Sequence, residues 1–438
     1  MSEERDYEQS FVPQEKRRGF WGMFVVMLGF TFFSSSMWTG ANIGVGSTLS
    51  QFFWAMMAGN LILGIYTSIL AYMASKTGLS VHLLARRAFG KSGSALPSAL
   101  LAITQIGWFG VGVAMFAFPV LRYCEQKGCH INIWLLVVIA GILMTSSAYW
   151  GIKALTIVSI VAVPAIAIGG GFSAIKVFVD DPNAWATLRS YIPAESKAIP
   201  FGMAVSMTIG NFISGGTCTP DFVRFAKNTK IAVSTTAIAF FIGNSLMFIF
   251  GAVGAMFFKT NDISDVLVAQ GLLIPGIIVL GLNIWTTNDN ALYTSGLGIA
   301  NITGFPKRYI VLVSGLFGTV FAITLYNNFC GYLSLLNNFL PSIGAILAAD
   351  FFFVRKWWIK DDSTPAAGLP AIFAWLLGTM TAIFIKKGFT AINGMAIAFF
   401  AYLLLVKVYL FLNKYYLVLK SINANLKKMN SADTNVKK

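Results

Sequence analysis

Charged side chains are scarce in this sequence of 438 residues. Asp, Glu, Lys and Arg together make up 11% of the chain, whereas hydrophobic residues make up 56%. Soluble domains carry about 25% charged residues, so this composition excludes an ordinary soluble protein. Apolar runs of about 20 residues recur along the chain and have the length of membrane-spanning helices. The sequence therefore predicts an all-α polytopic membrane protein.

Residues that ligate metals or act as nucleophile and base are also few. The chain has 4 cysteines and 2 histidines, and their spacing matches no metal site. No nucleophile–base pair is evident in the apolar segments, which disfavours an intramembrane enzyme. We interpret His82 and His130 as isolated interfacial residues and Cys218 as an ordinary membrane-helix residue. Cys124 and Cys129 share a loop predicted to be external, where a local disulfide is one option.

Acidic residues are outnumbered by basic ones, 17 to 32, which gives a net charge of +15. The Lys and Arg residues concentrate in every second predicted loop and in both tails. That distribution is the positive-inside pattern with both termini cytoplasmic, and it favours contact with anionic lipid over nucleic acid. No apolar run precedes Phe20, so we expect no cleavable signal peptide.

Apolar runs predict twelve transmembrane helices, at roughly 20–46, 51–75, 95–121, 132–151, 154–179, 200–218, 231–258, 273–299, 309–326, 331–353, 368–385 and 391–413. Solvated tails are expected at 1–19 and 414–438. The polar, proline-containing loop 180–199 is predicted to be external and to separate two halves, 20–179 and 200–353. Two further helices, within 354–413, follow the second half.

The first apolar segment contains an unusual stretch, Gly29 to Ser36, with glycine and three serines at mid-membrane depth. Glycine weakens a helix, and hydroxyls offer the backbone alternative hydrogen bonds. Lipid cannot satisfy the backbone groups that a break releases. We therefore predict a broken helix whose free groups face a polar cavity.

A similar stretch in the sixth helix, Gly210 to Gly216, predicts a second break and an internal repeat. Phe32 to Ser34 aligns with Phe212 to Ser214 at an offset of 180 residues, and Gln105-Ile106 aligns with Asn283-Ile284 at 178. Five helices per repeat is an odd number, so the second copy is expected to be inverted. Paired interruptions of this kind indicate the substrate site of an inverted-repeat transporter.

A small cation is the expected ligand at the first break. The cytoplasmic half-helix would end near Gly29 to Phe32, where free carbonyls carry the negative end of the helix dipole. Further neutral oxygens are available from Thr286, Thr287 and the Asn283 carbonyl, within a polar run at 283–290. The alternative is that the two threonines bond to their own helix.

Two carboxylates have different expected roles. Asp289 is the one that we place deep in a span, where charge is costly and usually functional. It can bind the cation, carry a proton, or pair with a basic residue, and the sequence leaves the three open. Asp221 falls at a predicted helix end, and we expect it to pair with Arg224 at the interface.

The substrate is expected beside the cation. Gln105 and Trp108 lie three residues apart on one helix face, and Phe33 and Phe212 come from the two interrupted segments. Aromatic walls combined with amide side chains, from Gln105, Asn211 and Asn283, suit a flat, neutral heterocycle. No Arg or Lys lies nearby in these segments, which disfavours a carboxylate or phosphate substrate.

At these residues the sequence resembles the cytosine permeases of the nucleobase–cation symporter family. The resemblance runs from about residue 11 to 350 and rests on Pro13-Gln14, Met27 to Gly29, Thr31 to Ser34, Met37 to Gly40, Gln105 to Val113 and Asn283 to Tyr293. It implies a LeuT-type 5+5 inverted repeat plus two C-terminal helices. It also implies sodium-coupled uptake of cytosine by alternating access across a bacterial inner (plasma) membrane.

The resemblance also implies roles for individual residues. Sodium would contact backbone carbonyls of Gly29, Phe32 and Asn283 and the hydroxyls of Thr286 and Thr287. Cytosine would lie between Trp108 and Phe212, with polar contacts from Ser34, Gln105, Asn211, Ser214 and Gly215. Asn211 departs from the family pattern, which has serine there, and this bears on the hydrogen bonds to the exocyclic amine.

Other functions stay open at this point. The nearest alternative is a proton-coupled symporter of another nucleobase or of a hydantoin- or allantoin-like ring. An ion channel would need a continuous polar stripe along several helices, whereas polarity here is concentrated at the interruptions. We expect no cofactor apart from sodium as coupling ion, and membrane lipids, cytosine and sodium as partners. A monomer is one of the oligomeric states that the sequence allows.

Overall fold

The protein was analysed as a computed structural model, which describes Tyr7 and residues 10–150, 152–358, 368–385 and 387–436. These residues form helices and short connections, and no β-strand occurs among them. Parts of the predicted tails lie outside the described residues, namely 1–6, 8, 9 and 437–438, as does most of the loop before the last two helices. The predicted all-α class is confirmed.

Nineteen helices follow one another along the described chain. The first eight are α1 (Phe20–Thr31), α2 (Ser34–Val45), α3 (Leu49–Thr77), α4 (Val81–Gly93), α5 (Ala95–Gln126), α6 (Ile133–Trp150), α7 (Ile152–Asp180) and α8 (Ala184–Arg189). The next six are α9 (Phe201–Thr217), α10 (Thr219–Val223), α11 (Thr229–Ile238), α12 (Asn244–Phe258), α13 (Ile263–Ala269) and α14 (Leu273–Thr303). The last five are α15 (Lys307–Asn327), α16 (Phe329–Phe339), α17 (Pro341–Ala349), α18 (Gly368–Phe384) and α19 (Thr390–Val436).

Two segments of π-helix extend these elements. Ala239–Gly243 joins α11 to α12, and Asp350–Trp358 follows α17. Among the described residues, 7 helices are long and apolar enough to cross a membrane, or 8 if the bent pair α1–α2 counts as one span. Each of the twelve predicted segments coincides with a helix or a pair of helices. Four of the predicted segments do not meet that test: α9 and α14, and the shorter apolar helices α6 and α18.

The predicted interruption of the first helix is present. α1 and α2 meet at an angle of 47°, and Phe32 between them has φ −78° and ψ 75°, the conformation of an inverse γ-turn. The amide of Phe33 accordingly donates to the carbonyl of Thr31 at 2.9 Å. The chain therefore changes direction at Phe32 and Phe33, within the stretch that the sequence marked.

The second predicted break is wrong in its position. Gly210 to Gly216 lie inside the continuous helix α9, and the interruption comes afterwards, at Cys218. The glycines serve close helix packing instead: a Cβ on Gly210 would lie 2.6 Å from the Leu333 carbonyl oxygen, and one on Gly216 would lie 3.0 Å from Thr67 Cγ2. Gly210 and Gly216 therefore indicate contact with a neighbouring helix and not a break in α9.

Close packing between two pairs of helices encloses the interrupted segments. α2 crosses α12 so closely that a Cβ on Gly251 would overlap the Met37 carbonyl oxygen. On the other side α3 packs along α9, where a Cβ on Gly59 would lie 2.5 Å from Thr208 Cβ. Between these pairs, α5 and α14 pack along each other through the centre of the protein.

The remaining helices complete the periphery. α18 packs along α19, and both contact α17. α19 continues to Val436, so the predicted C-terminal tail from 414 has a helical backbone as far as that residue. Cys124 and Cys129 are free thiols, so the disulfide that the sequence allowed is absent between them.

Candidate substrate and ion site

The side chain of Asn283 on α14 holds the two halves of the broken helix together. Its Oδ1 accepts hydrogen bonds from the amide (2.9 Å) and the hydroxyl (2.7 Å) of Ser34, the first residue of α2. Its Nδ2 donates to the carbonyl of Phe32 at the end of α1. One buried amide therefore satisfies backbone groups on both sides of the break, where an unsatisfied group costs about 1–3 kcal/mol.

The break releases carbonyl oxygens at the end of α1. In a continuous helix the amides of Phe33 and Ser34 would bond to the carbonyls of Gly29 and Phe30. These amides instead donate to Thr31 and to the Asn283 side chain. The carbonyls of Gly29 and Phe30 thus lose their helical partners and are available to a cation.

Three oxygens on α14 cluster next to this break. Thr286 Oγ1 and Thr287 Oγ1 donate to the carbonyl of Asn283 at 2.8 and 3.0 Å, and Thr287 also donates to Ile284 O at 3.0 Å. This is the back-bonding alternative, and it also gathers the oxygens predicted for sodium. Neutral carbonyl and hydroxyl oxygens are suitable ligands for a hard cation. The Phe32 carbonyl accepts from the side chain of the same Asn283, whereas Gly29 lies one turn earlier on α1.

A central cavity opens beside the break. Of the nine residues predicted for the substrate, six line it: Phe33, Gln105, Trp108, Asn211, Phe212 and Gly215. The other three, Ser34, Ser214 and Asn283, are fully buried behind its wall. The cavity therefore gathers the aromatic residues and two of the three predicted amide side chains.

Aromatic rings form most of the apolar wall. Phe33 contacts both Trp108 and Phe212, with ring centroids 5.5 and 6.4 Å away. Phe30 lies edge-on to Phe212 at 5.2 Å, and a Cβ on Gly215 would lie 2.9 Å from the Phe212 ring. Because Phe33 belongs to the break itself, the wall of the cavity is built partly from the segment that releases the carbonyls.

Gln105 has a defined orientation because its amide nitrogen is held. Gln105 Nε2 donates to Ser214 Oγ at 2.8 Å, and Ser214 Oγ is in turn 2.8 Å from Thr104 Oγ1. Ser214 therefore acts behind the wall and positions Gln105. The carbonyl oxygen of Gln105 remains as a hydrogen-bond acceptor for a molecule in the cavity.

Asn211 is held from the opposite side, by residues of α2. Its Oδ1 accepts from Ser35 Oγ at 2.6 Å, with Thr39 Oγ1 2.9 Å away, and its Nδ2 donates to Ser36 Oγ at 2.8 Å. An amide nitrogen carries two hydrogens. The second N–H is therefore the free polar group that Asn211 can offer to a molecule in the cavity, as a donor.

The hydrogen bonds of Asn211 continue into a buried polar chain across four helices. Ser36 Oγ donates to Asn244 Oδ1 at 2.6 Å, Asn244 Nδ2 donates to Asn60 Oδ1 at 2.8 Å, and Asn60 Nδ2 donates to Ser245 Oγ at 2.8 Å. The chain joins α2, α9, α12 and α3. A satisfied network of this kind fixes one arrangement of its helices.

Sequence reasoning missed several residues that line the cavity: Phe30, Cys218, Asn288, Asn290, Ala291 and Thr294. For Asn290, Ala291 and Thr294 the signal was helical spacing, because residues three, four and seven positions after Thr287 share its face. Thr287 itself lines the cavity and also belongs to the oxygen cluster. Cys218 caps the end of α9 and lines the cavity, whereas we expected an ordinary membrane-helix residue.

Asp289 belongs to neither the cavity nor the oxygen cluster. It faces α6, where Ser147 Oγ donates to Asp289 Oδ1 at 2.7 Å and Trp285 Nε1 donates to Ser147 Oγ at 2.6 Å. The ion pairs found within the described part of the chain do not include it. Of the three predicted roles, direct binding of the proposed cation and pairing with a basic residue therefore have no geometric support.

A second polar cluster lies one turn beyond the cavity, and it corrects two expectations. His82 is buried, and its Nδ1 lies 3.1 Å from Ser98 Oγ, whereas we expected an isolated interfacial residue. Asp221 is also buried: its Oδ1 accepts from the Val81 amide at 2.8 Å, and its Oδ2 lies 4.0 Å from His82 Nε2. Arg224 Nε donates to the main-chain carbonyl of Asp221 at 3.2 Å. The periodicity of one segment could not reveal that α4 and α10 meet.

Burial governs the protonation of this pair. It lowers the pKa of His82, and the cations Arg224 and Arg86 lower it further, against the opposing effect of Asp221. Burial likewise raises the pKa of Asp221, partly offset by His82 and Arg224. Both shifts favour the neutral forms.

An all-helical protein with apolar spans, a broken helix and carbonyls released beside a polar, aromatic cavity has the architecture typical of a multi-pass transporter. A family described as permease for cytosine/purines, uracil, thiamine and allantoin matches residues 11–405. The chain belongs to this family, as its resemblance predicted. A cytosine permease from Escherichia coli (strain K12) is 48% identical over 407 residues, which cover 92% of this chain and 95% of that protein.

Solved transporters share the fold. Mhp1, a nucleobase-cation-symport-1 family transporter in a closed conformation with bromovinylhydantoin bound, has a TM-score of 0.76 at 19% identity, covering 91% of this chain and 94% of its own. A substrate-bound, outward-open, Na⁺-coupled sialic acid symporter has a TM-score of 0.68 at 14% identity, covering 92% of each chain. The relatives are permeases, which confirms that this chain is a transporter and no enzyme.

The His82 cluster predicts a pH dependence of stability. The pKa of His82 is lower in the folded protein than its usual value of about 6.5, so the unfolded chain takes up this proton first as the pH falls. Stability from His82 is therefore lost below about pH 6.5. Asp221 acts in the opposite direction, because its raised pKa lets the folded protein take up that proton before the unfolded chain does. When the pH is lowered from about 7.5 to 5.5, we expect the melting temperature of His82→Gln to fall by less than that of wild type.

His130 provides the matched control, because it is the second histidine of the chain and is exposed. His130→Gln should keep the wild-type pH dependence in the same thermal unfolding measurement. Equal slopes for wild type and His82→Gln would show that the buried histidine does not titrate with unfolding.

Proposed function

We propose that this protein is a sodium-coupled symporter that imports cytosine by alternating access. The observation that carries the proposal is the shared position of Thr287, which lines the aromatic cavity and contributes to the oxygen cluster beside the broken helix. A cation and a base bound there would order the same segment. The 48% identity to a cytosine permease supports the substrate, and the fold shared with a Na⁺-coupled symporter supports the ion.

The chemistry of the cavity favours a neutral aminopyrimidine. Trp108, Phe33 and Phe212 provide apolar faces against which a flat ring can stack. The free oxygen of Gln105 would accept a hydrogen bond from the exocyclic amine, and the free N–H of Asn211 would donate to an acceptor on the ring. No Lys or Arg is among the described residues that line the cavity, which disfavours an anionic substrate.

Sodium would bind at the junction of α1, α2 and α14. The proposed ligands are the carbonyls of Gly29, Phe32 and Asn283 and the hydroxyls of Thr286 and Thr287. The carbonyl end of α1 would add the negative end of its helix dipole. Bound sodium would supply positive charge to the released carbonyls, and so would stabilise the broken helix in the shape that forms the cavity wall.

The architecture proposed with this function is a twelve-helix, 5+5 inverted repeat, 20–179 and 200–353, with two C-terminal helices in 354–413. Reciprocal packing supports it: α2 of the first half crosses α12, and α9 of the second half packs along α3. The distribution of Lys and Arg supports cytoplasmic termini. We assign the protein to a bacterial inner (plasma) membrane, with lipids as further partners and a monomer as the working oligomeric state.

The sodium site is tested by Thr287→Val, which removes one hydroxyl and keeps the shape of the side chain. We expect sodium-driven uptake of labelled cytosine into vesicles to need roughly tenfold more sodium, the scale of one lost contact to a charged group. Thr303→Val is the control, because Thr303 also bonds to its own helix but lies at the exposed end of α14. Wild-type uptake that ignores sodium would contradict the coupling.

The selectivity for cytosine is tested by Ser214→Ala. Loss of this hydroxyl frees the Gln105 amide to turn, so that its nitrogen can face the carbonyl that uracil carries in place of the amine. We expect discrimination between cytosine and uracil to fall by about tenfold, the scale of one mispaired hydrogen bond. The measurement is competition by uracil, hypoxanthine and allantoin against labelled cytosine.

Ser206 supplies the control for this experiment, since it lies on α9 but does not line the cavity. Ser206→Ala should retain wild-type selectivity. Unchanged discrimination in Ser214→Ala would remove Gln105 from base recognition. Stronger competition by uracil or allantoin than by cytosine in wild type would favour the alternative substrates.

A second candidate is proton-coupled transport through Asp289. The favouring observation is a buried carboxylate whose hydrogen-bond donor is the neutral Ser147 hydroxyl, since a carboxylate at membrane depth is costly and usually functional. Asp289→Asn can keep a bond to Ser147 but cannot titrate. We expect this variant to retain sodium-driven cytosine uptake. If Asp289→Asn abolishes cytosine uptake, and wild-type uptake is driven by a proton gradient, the proton mechanism is favoured instead.

A further inference from the structure

A second concave surface lies on the outside of the protein, between α3 and α11. The groove is bounded by Leu61 to Tyr72 on α3, by Val233 to Ile242 on α11 and the π-helical segment after it, and by Phe352. Its walls are apolar apart from Ser68 and the Tyr72 hydroxyl. Leu61 and Ile65 are more than half exposed there, at 53% and 56%.

The length of the groove along α3 matches the thickness of one membrane leaflet. Leu61 and Tyr72 are eleven residues apart, which is roughly 16 Å along a helix. That length is about half of the ~30 Å hydrocarbon core of a bilayer. A single acyl chain lying along α3 would therefore fit its length, and both neighbouring helices pass the test for membrane spans.

One end of the groove carries two lysines. Lys76 follows Tyr72 by one helical turn, and its Nζ lies 5.8 Å from the centre of the Tyr72 ring. Lys230 precedes Val233, another groove residue, by three positions on α11. Both lysines are exposed, and the ion pairs found among the described residues include neither of them.

The two lysines lie at the same end because α3 and α11 run in opposite directions. Ser75 Oγ, next to Lys76, donates to Thr229 Oγ1, next to Lys230, at 3.2 Å. The positive-inside pattern predicts this end to be cytoplasmic. Basic pockets between membrane helices on that side are suited to anionic lipid headgroups.

We propose that this groove binds an anionic phospholipid, with an acyl chain between α3 and α11 and the phosphate at Lys76 and Lys230. The two lysines at the end of the groove favour an anionic lipid over a neutral one. The apolar walls favour a lipid with an acyl chain over free phosphate. The site is separate from the central cavity, and the proposal does not depend on which substrate the protein carries.

Residues on the inner side of the groove pack against residues of the central cavity and the broken helix. Phe241 and Ile242 line the groove, while the adjacent Phe240 contacts Phe212 of the cavity with ring centroids 5.1 Å apart. A Cβ on Gly243, in the same π-helical segment, would lie 2.7 Å from Thr31 Oγ1 at the end of α1. An occupied groove therefore supports the segment that packs against the broken helix.

The test is native mass spectrometry of the full-length protein in detergent, titrated with phosphatidylglycerol or with phosphatidylcholine of the same acyl chains. We expect wild type to retain phosphatidylglycerol preferentially. Lys76→Ala combined with Lys230→Ala should weaken this retention by roughly 10- to 30-fold, as expected from two lysines near a headgroup. Lys91→Ala is the control, because Lys91 is an exposed lysine on α4 that does not border the groove.

A second variant, Gly64→Phe, fills the groove itself. A Cβ on Gly64 meets no atom within 4 Å, so the change should not disturb the fold, and a melting temperature at or above that of wild type confirms this. We expect it to lose lipid retention with both lysines intact. Equal phosphatidylglycerol retention by wild type, the double lysine variant and Gly64→Phe would overturn the proposal. A wild-type dimer that becomes monomeric in Gly64→Phe, without retained lipid, would also overturn it and identify a second copy as the occupant.

Discussion

The hydrogen bonds of one buried amide, Asn283, are the interaction on which the functional centre depends. A helix cannot stop in the middle of a membrane unless its free backbone groups find partners. Asn283 provides them by accepting from the Ser34 amide and donating to the Phe32 carbonyl. This leaves the carbonyls of Gly29 and Phe30 without helical partners and turns Phe33 toward Trp108. The break is therefore stabilised from α14, the same helix that carries Thr286 and Thr287.

The surrounding helices keep this arrangement in place by two means. Close contacts at Gly251 and Gly59 let α2 and α3 approach their partners α12 and α9. Hydrogen bonds then join the pairs, since the polar chain from Asn211 through Ser36 to Asn244 crosses the same interfaces. Movement of α2 relative to α9 would have to break or exchange these hydrogen bonds. The helices can therefore switch between two discrete arrangements with different hydrogen-bond partners.

Much of this could be predicted from residue patterns, because the helices and the first break are local properties. Gly29 to Ser36 put glycine and hydroxyls where lipid-facing residues belong, and the chain indeed bends there. The same reasoning failed at Gly210 to Gly216, because a glycine that breaks a helix and one that admits a neighbouring backbone look alike in sequence. His82 and Asp221 were misjudged for a related reason: their contact joins segments that are 139 residues apart. Nor could spacing alone show that Ser34, Ser214 and Asn283 act from behind the cavity wall.

The most direct test of coupling through the broken helix is the affinity of the purified protein for cytosine, measured by calorimetry in sodium chloride and in choline chloride. If sodium and base order the same segment, cytosine should bind about tenfold or more tightly with sodium present. Saturating cytosine should then raise the affinity for sodium by the same factor, because binding coupling is reciprocal. Equal cytosine affinities in the two salts would contradict a shared segment.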